Sequence, residues 1–148
     1  MVIREALVAD IEQMQVIRNA VKENRLSNPN IIQSKEYEEM ILQKGKGWVC
    51  EINKIIVGFA FVDLQQHNIW ALFVDPEFER RGVGKALHDT MLNWYFVQTR
   101  EVVWLSTAAG TRAEVFYRKA GWKEVGLYGK GEIKFEMNYK NWSIKKAE

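Results

Sequence analysis

Residues 74–87 constrain this chain more than any other part of its sequence. They read VDPEFERRGVGKAL, so an apolar strand leads through a short polar loop into a helix whose first turn holds Gly82 and Gly84. The N–H groups of a helix's first turn have no partner inside the helix and carry a partial positive charge, so an anion can bind there. Three basic residues add full charges beside these groups: Arg80, Arg81 and Lys85. The segment therefore predicts a phosphate-binding turn.

Two familiar phosphate-binding motifs do not match this segment. A Walker loop needs Gly-x-x-x-x-Gly-Lys-Ser/Thr, and Lys85 has neither that spacing nor a hydroxyl neighbour. A dinucleotide-binding turn needs a third glycine where Leu87 stands, and it follows the first strand of its unit. Here the turn follows the fourth predicted strand. The two glycines also suit a tight strand-to-helix turn without a ligand, so this alternative stays open on the glycines alone.

Hydrophobic periodicity predicts the element order βααβββαβαββ. Helices are expected from Asp10, capped with Gln13, and over 34–44, from Gly82 and from Thr111. Strands are expected over 1–7, 48–52, 55–64, 69–74, 101–107, 122–128 and 132–139, with a two-residue hairpin turn at 53–54. This order requires parallel pairing in the middle and antiparallel pairing at both ends. The prediction is an α/β fold with a mixed sheet of six or seven strands.

Composition limits the class of protein. A chain of 148 residues with 47% apolar residues suits one domain, predicted over residues 1–148. A net charge of +2 argues against nucleic acid or a membrane surface as a partner. The single cysteine, Cys50, can form neither an internal disulfide nor a cysteine zinc site, and no metal site is predicted. The longest apolar run is too short to span a bilayer, and acidic residues interrupt the opening segment, so a cytoplasmic protein is expected.

Two motifs resemble those of the GNAT (general N-acetyltransferase) superfamily. Residues 79–84, ERRGVG, resemble its signature Gln/Arg-x-x-Gly-x-Gly/Ala, with Glu79 departing at the first position. Residues 113–122, AEVFYRKAGW, resemble Ala-x-x-Phe-Tyr-x-Lys-x-Gly-Phe, with Gly110 where the family often has Asn. Both motifs fall on the expected elements, and the resemblance covers almost the whole chain.

The resemblance implies an acetyl-CoA-dependent transferase with a splay between strands 4 and 5. The pantetheine arm of the cosubstrate would pair with the exposed edge of strand 4, and the amide of Leu72 would donate to the thioester oxygen. The pyrophosphate would lie on the amides of the following turn. The cofactor-binding residues implied are Leu72, Phe73, Val74, Arg80, Arg81, Gly82, Val83, Gly84, Lys85, Ala86 and Tyr117.

Tyr117 matches the position of the family's general acid, which protonates the departing thiolate. Members with a side-chain base often place it at positions that match Asn68 and Trp70, and neither residue accepts a proton usefully. We therefore expect ordered water, or an amine that loses its proton on entry, in place of a protein base. His67 is expected to be an exposed turn residue, and His88 a structural one.

By resemblance, the acceptor lies among the first two helices and the loops around the last strands. The candidate residues there are Glu23, Asn24, Trp70, Tyr128 and Glu132. The leading hypothesis is an N-acetyltransferase that acts on a primary amine of a small molecule, rather than on a protein N-terminus or lysine, by direct attack in a ternary complex. The alternatives are a catalytically silent acyl-CoA-binding regulatory module and a simple anion-binding protein. Six tryptophans leave aromatic surface that could serve a homodimer.

Overall fold

Seven strands and five α-helices occur in residues 1–21 and 33–147, the part of the chain that the computed structural model describes. These residues form two units, Met1–Tyr95 and Phe96–Glu148. The predicted α/β fold and its element order are confirmed, with one further helix after the last strand.

The first unit is an antiparallel sheet with helices on both faces. Its strands pair in chain order and are β1 (Val2–Glu5), β2 (Gly45–Ile52), β3 (Ile55–Asp63) and β4 (Asn68–Val74). Its helices are α1 (Ile11–Ala20), α2 (Ser34–Glu39) and α3 (Val83–Gln98), the last of which continues past the unit's end. Short helical turns lie before α1 (Val8–Asp10), after α2 (Met40–Lys44) and after β4 (Pro76–Phe78).

Side chains of β3 alternate between the two faces of this sheet. Phe59 and Phe61 are fully buried in the core that α1 and α2 cover. Gly58 faces α3, where an added Cβ would come within 3.0 Å of Val83 and 3.1 Å of Leu87. A glycine at this position therefore allows the helix to pack closely on the sheet.

The predicted hairpin turn between β2 and β3 is confirmed. Asn53 and Lys54 both have positive φ angles, 53° and 67°, which is the backbone of the two-residue turn that best matches strand twist. The pairing of Ile52 with Ile55 closes the hairpin directly beside this turn.

Asp10 holds the predicted N-cap position of α1, but its side chain does not cap this helix. Its carboxylate accepts the N–H of Leu7 at 2.7 Å and two N–H groups of Arg4 at 2.9 and 3.0 Å. It therefore holds the turn before α1 against β1. An arginine six residues earlier competes for the carboxylate more strongly than the first turn of the helix does, because charge-assisted bidentate bonds are the stronger ones.

The second unit is a three-stranded antiparallel sheet with two helices. The strands are β5 (Val103–Ala108), β6 (Lys123–Tyr128) and β7 (Glu132–Met137), in the order β5-β7-β6. The helices are α4 (Arg112–Lys119) and α5 (Tyr139–Ala147). The last strand was expected to reach Tyr139, but Asn138 accepts the N–H of Asn141 at 2.7 Å and starts α5, whose Trp142 is buried.

Candidate functional site

Alternate backbone groups of β4 point away from β3, the strand with which it pairs. Asp75, directly after the strand, donates its N–H to the carbonyl of Val57 at 2.8 Å. Opposite residues of an antiparallel pair alternate between bonded and non-bonded positions. Phe73 therefore pairs with β3 through its backbone, whereas the N–H and C=O groups of Leu72 and Val74 point away from β3. These are two of the three strand residues predicted to bind the cosubstrate.

An irregularity interrupts β4 two residues before Leu72. The register of the two strands shifts between Phe61 and Val62, which leaves Trp70 as an extra residue of β4 with no opposite partner on β3. Such bulges bend a strand and redirect a side chain, and they occur often beside active sites. The Trp70 ring packs edge-on against the rings of Tyr37 and Phe61, with centroids 5.3 and 5.5 Å away.

The loop after β4 has a defined conformation that contains two left-handed residues. The Asp75 carboxylate accepts the N–H of Glu77 at 3.0 Å, and the Asp75 carbonyl accepts the N–H of Phe78 at 2.8 Å. Arg80 and Gly82 follow with φ angles of +63° and +81°. Apart from Gly82 and its two chain neighbours, no described residue has an atom within 4 Å of the place that a Cβ on Gly82 would take. The space beside this glycine is therefore open, while its backbone disfavours other residues.

Helix α3 begins at the predicted glycine turn. The N–H of Ala86 bonds to the Gly82 carbonyl at 3.0 Å and is the first bond of the helix. The amides of Val83, Gly84 and Lys85 precede it and have no acceptor within the helix. Three donors thus stand together at the positive end of a 16-residue helix.

The basic side chains around this turn differ in whether they already have an acidic partner. Arg80 and Arg81 are exposed and form no ion pair within the described residues. Lys85 is also exposed, but its ammonium bonds to Asp89 at 2.6 Å. Partial burial of Asp89 opposes its ionisation, yet the bonds from His88 and Lys85 outweigh this effect and lower its pKa. The two arginines are therefore the cations left to meet an anion at this turn.

Tyr117 lies in α4, within the second unit. The helix starts at Thr111, whose hydroxyl oxygen accepts the N–H of Glu114 at 3.3 Å, as the sequence predicts. The Tyr117 ring packs against Trp122 and Phe135, with centroids 5.7 and 6.5 Å away. Burial raises the pKa of its hydroxyl above the ordinary value of 10. The group therefore stays protonated at neutral pH, as a general acid must before it acts.

The remaining predicted acceptor residues fall into two sets. Tyr128 and Glu132 are opposite each other on β6 and β7. Tyr128 packs on Trp104 with centroids 5.1 Å apart, and the Glu132 carboxylate accepts the hydroxyl of Ser106 at 2.6 Å. Glu132 is thus already engaged within the second unit. Two further candidates lie outside the described residues: Glu23 and Asn24.

His67 lies in the turn that leads into β4, where its φ angle is +56°. Its Nδ1 lies 2.8 Å from the hydroxyl of Tyr95, and the residue is half-buried rather than exposed. The expectation of an exposed turn residue is therefore wrong for His67.

Two buried polar groups were not anticipated from the sequence. Within the part of the chain that the structure describes, the Nε of Arg18 and the hydroxyl of Tyr37 have no hydrogen-bond partner. The Arg18 guanidinium lies 4.8 Å from the centre of the Phe73 ring on β4. One signal was available, because Arg18 follows Met14 by four residues and so interrupts the apolar face of α1.

Neither a membrane helix nor a metal centre is found in the described residues. No helix there has the length and apolar character needed to cross a bilayer. Across the same residues, no three side chains of His, Cys, Asp or Glu come together as metal ligands would.

Comparison with known proteins gives consistent matches. A family model described as an acetyltransferase (GNAT) domain matches residues 10–133. The uncharacterized N-acetyltransferase YafP of Escherichia coli strain K12 is 34% identical over 84 residues, which are 57% of this chain and 50% of YafP. The matches to curated relatives span 38% and 50% of those proteins, so this chain corresponds to half of their length or less.

Solved structures share the fold. The protein smu.2055 from Streptococcus mutans UA159 matches with a TM-score of 0.80 and 21% identity, over 93% of this chain and 99% of that one. The PaiA N-acetyltransferase from Thermoplasma acidophilum, crystallised in complex with coenzyme A, matches with a TM-score of 0.73 and 16% identity, over 93% and 98% of the two chains.

Proposed function

The chain belongs to the GNAT acetyltransferase family, and from this membership we propose that it transfers the acetyl group of acetyl-CoA to a primary amine of a small molecule. The amine attacks the thioester carbonyl directly, with both substrates bound at once. One observation carries the proposal: a single segment joins strand backbone that points away from β3 to three helix N-terminal donors. We call residues 72–85 the cosubstrate segment.

The cosubstrate segment suits the two ends of coenzyme A. The pantetheine arm contains amides, which can pair with the N–H and C=O groups of Leu72 and Val74 as an added strand would. The pyrophosphate is a double anion, which suits the first-turn amides of α3 together with Arg80 and Arg81. Acetyl-CoA, when bound, supplies an activated acetyl carbonyl.

Two groups of this chain act on the reacting atoms in the proposed reaction. The N–H of Leu72 donates to the thioester oxygen and stabilises the negative charge that develops there. The hydroxyl of Tyr117 gives its proton to the sulfur as the carbon–sulfur bond breaks. The nitrogen–carbon bond forms at the same carbonyl, and the amine's surplus proton passes to water, because no base is assigned on β4.

Thiol release from acetyl-CoA tests the proposal. Purified protein is mixed with acetyl-CoA and a panel of amines, amino acids, polyamines and aminoglycosides, and calorimetry measures CoA binding in parallel. We expect CoA to bind and at least one small amine to release thiol. Tight CoA binding without release by any amine, peptide N-terminus or lysine peptide would instead support the silent acyl-CoA-binding module. Failure to bind CoA would contradict both the transferase and the acyl-CoA-binding module.

Two further predictions accompany the proposed function. We propose that residues 1–148 act as one transferase domain, and limited proteolysis with and without CoA can test this. Homodimer formation stays a prediction, which light scattering of the purified protein can decide.

A further inference from the structure

Arg18 and Tyr37 form a polar pair on an otherwise apolar face of the first unit. The Tyr37 ring is fully buried and packs edge-on against Phe59 and Trp70, with centroids 6.1 and 5.3 Å away. The Arg18 guanidinium stacks over Phe73 at 4.8 Å. The Phe59 ring packs against the rings of both Phe73 and Tyr37, with centroids 5.5 and 6.1 Å away, so the two polar side chains border the same aromatic cluster. Each also affects the pKa of the other. We call them the Arg18–Tyr37 pair.

No acceptor for the Arg18–Tyr37 pair is found in residues 1–21 and 33–147. Among these residues, the buried Nε of the half-buried Arg18 and the buried hydroxyl of Tyr37 have no hydrogen-bond partner, and no carboxylate forms an ion pair with Arg18. Glu36 favours the charged guanidinium from nearby, but its carboxylate accepts the N–H of Gln33 at 3.1 Å. Buried N–H groups and hydroxyls are normally paired, because leaving them unpaired costs free energy.

Both members of the pair are donors at neutral pH. Burial lowers the pKa of Arg18 from its ordinary value of 12.5, while Tyr37 and Glu36 oppose this change. Burial also raises the pKa of Tyr37 to about 12. The guanidinium therefore remains charged and the phenol remains protonated. The missing partner is an acceptor, and a negative one best offsets the charge.

The pair lies beside the strand where the acetyl group is delivered in the proposed reaction. Phe73, under the Arg18 guanidinium, stands between Leu72 and Val74 on β4. Trp70, against Tyr37, is the bulged residue two positions before Leu72. A ligand that reaches the pair is thus held next to the cosubstrate segment.

We propose that the Arg18–Tyr37 pair binds a carboxylate on the acceptor, so that the amine acetylated is an amino acid or a related amino carboxylate. The inference rests on the proposed function, because it names that function's acceptor. A guanidinium and a hydroxyl are both donors, and a carboxylate has two acceptor oxygens, one for each of them. A phosphate dianion would leave net negative charge among the aromatic rings of Phe73 and Trp70, so a carboxylate is the better fit.

Binding of reaction products tests the inference without any chemistry. Calorimetry on CoA-loaded protein compares N-acetyl derivatives of glycine, alanine, leucine, phenylalanine, lysine and glutamate with the matching amides, which keep the shape and lose the charge. We expect at least one carboxylate to bind at least tenfold more tightly than its amide. Arg18→Gln should abolish that preference, and Arg18→Lys should retain part of it. Tyr37→Phe, which keeps the ring, should weaken carboxylate binding about three- to tenfold.

Three results would overturn the inference. In the first, no carboxylate of the panel binds with a Kd below 10 mM. In the second, the preference for carboxylate over amide survives Arg18→Gln in protein whose circular dichroism and melting temperature match the wild type. In the third, inorganic phosphate binds as tightly as the best carboxylate, which would indicate a general anion site.

The failure of the proposed function would look different. The Arg18 variants should bind CoA with unchanged affinity, because the cosubstrate segment does not include Arg18. If the wild-type protein binds CoA and releases thiol but shows no preference for carboxylates, only the inference about the acceptor fails. If the wild-type protein does not bind CoA, or if no amine releases thiol, the proposed transferase function fails.

Discussion

The cosubstrate segment and the Arg18–Tyr37 pair offer donors of different kinds. The segment uses backbone amides of β4 and of the first turn of α3, which lie within 14 residues of one another in the chain. The pair uses the side chains of Arg18 in α1 and Tyr37 in α2, which are distant in the chain. The Arg18 guanidinium stacks on Phe73 of β4, which is more distant still. Backbone donors are set by the fold and tolerate side-chain changes, whereas the pair changes with one substitution. A fold can therefore keep its cosubstrate while its acceptor varies.

The largest effect is expected where a side chain is added to the backbone donors. Gly84→Asp places a negative charge and extra volume against the proposed pyrophosphate position, so CoA binding should become unmeasurable. The helix should survive, since its first turn favours Asp. Calorimetry with CoA measures the loss. Ser34→Asp, which adds the same charge to the exposed first turn of α2, should leave CoA affinity unchanged. Equal CoA affinity in Gly84→Asp and the wild type would place the anion site elsewhere.

The second effect concerns the side chain that supplies the proton. Tyr117→Phe keeps the buried ring and removes the hydroxyl, so kcat should fall about 10²–10⁴-fold while CoA affinity changes little. Thiol-release kinetics under conditions where chemistry limits the rate measure this. Tyr139→Phe in the same unit should leave kcat unchanged. A loss below about threefold for Tyr117→Phe would remove the acid assignment.

The third effect is a rise of kcat/KM by about tenfold per pH unit. Without a protein base, kcat/KM should follow the free-amine fraction of the substrate and level off near the substrate's own pKa. Burial raises the pKa of Tyr117 above the ordinary value of 10, so loss of the acid should not reduce the rate below that pH. Two amines of different pKa decide the matter. A shared limb near pH 6.5 that disappears in His67→Asn would reveal a protein base.

The smallest effect is expected for a side chain that only flanks the backbone donors. Glu79→Gln restores the family's usual residue at the start of the motif at a half-buried position. CoA affinity should change by less than about threefold, because the proposed contacts come from backbone amides and not from this side chain. Calorimetry on both proteins gives the ratio. A gain of tenfold or more would mean that the side chain at this position, and not only the backbone, holds the cosubstrate.

Features within one short segment were predictable from the sequence. The hairpin turn at Asn53 and Lys54 and the glycine turn before α3 each depend on residues that are neighbours in the chain. The local residue types indicate the backbone conformation that each turn requires, and both predicted turns were confirmed.

Features that depend on distant residues were not predictable. The carboxylate of Asp10 is taken by Arg4 of β1, so it does not cap α1. Helix α5 was missed because Trp142 is its only buried residue, which leaves little periodic signal. The Arg18–Tyr37 pair forms only when α1 and α2 cover the same sheet face, and no local pattern shows this.

A nuclear magnetic resonance titration of the wild-type protein with CoA would show directly which amides meet the cosubstrate. We expect the largest shifts at the amides of Leu72 and Val74 and at those of Val83, Gly84 and Lys85. The amide of Phe73, which pairs with β3, should move much less. Small shifts at Leu72 and Val74, with the largest changes elsewhere in the chain, would contradict the assignment of this strand edge and helix start to the cosubstrate.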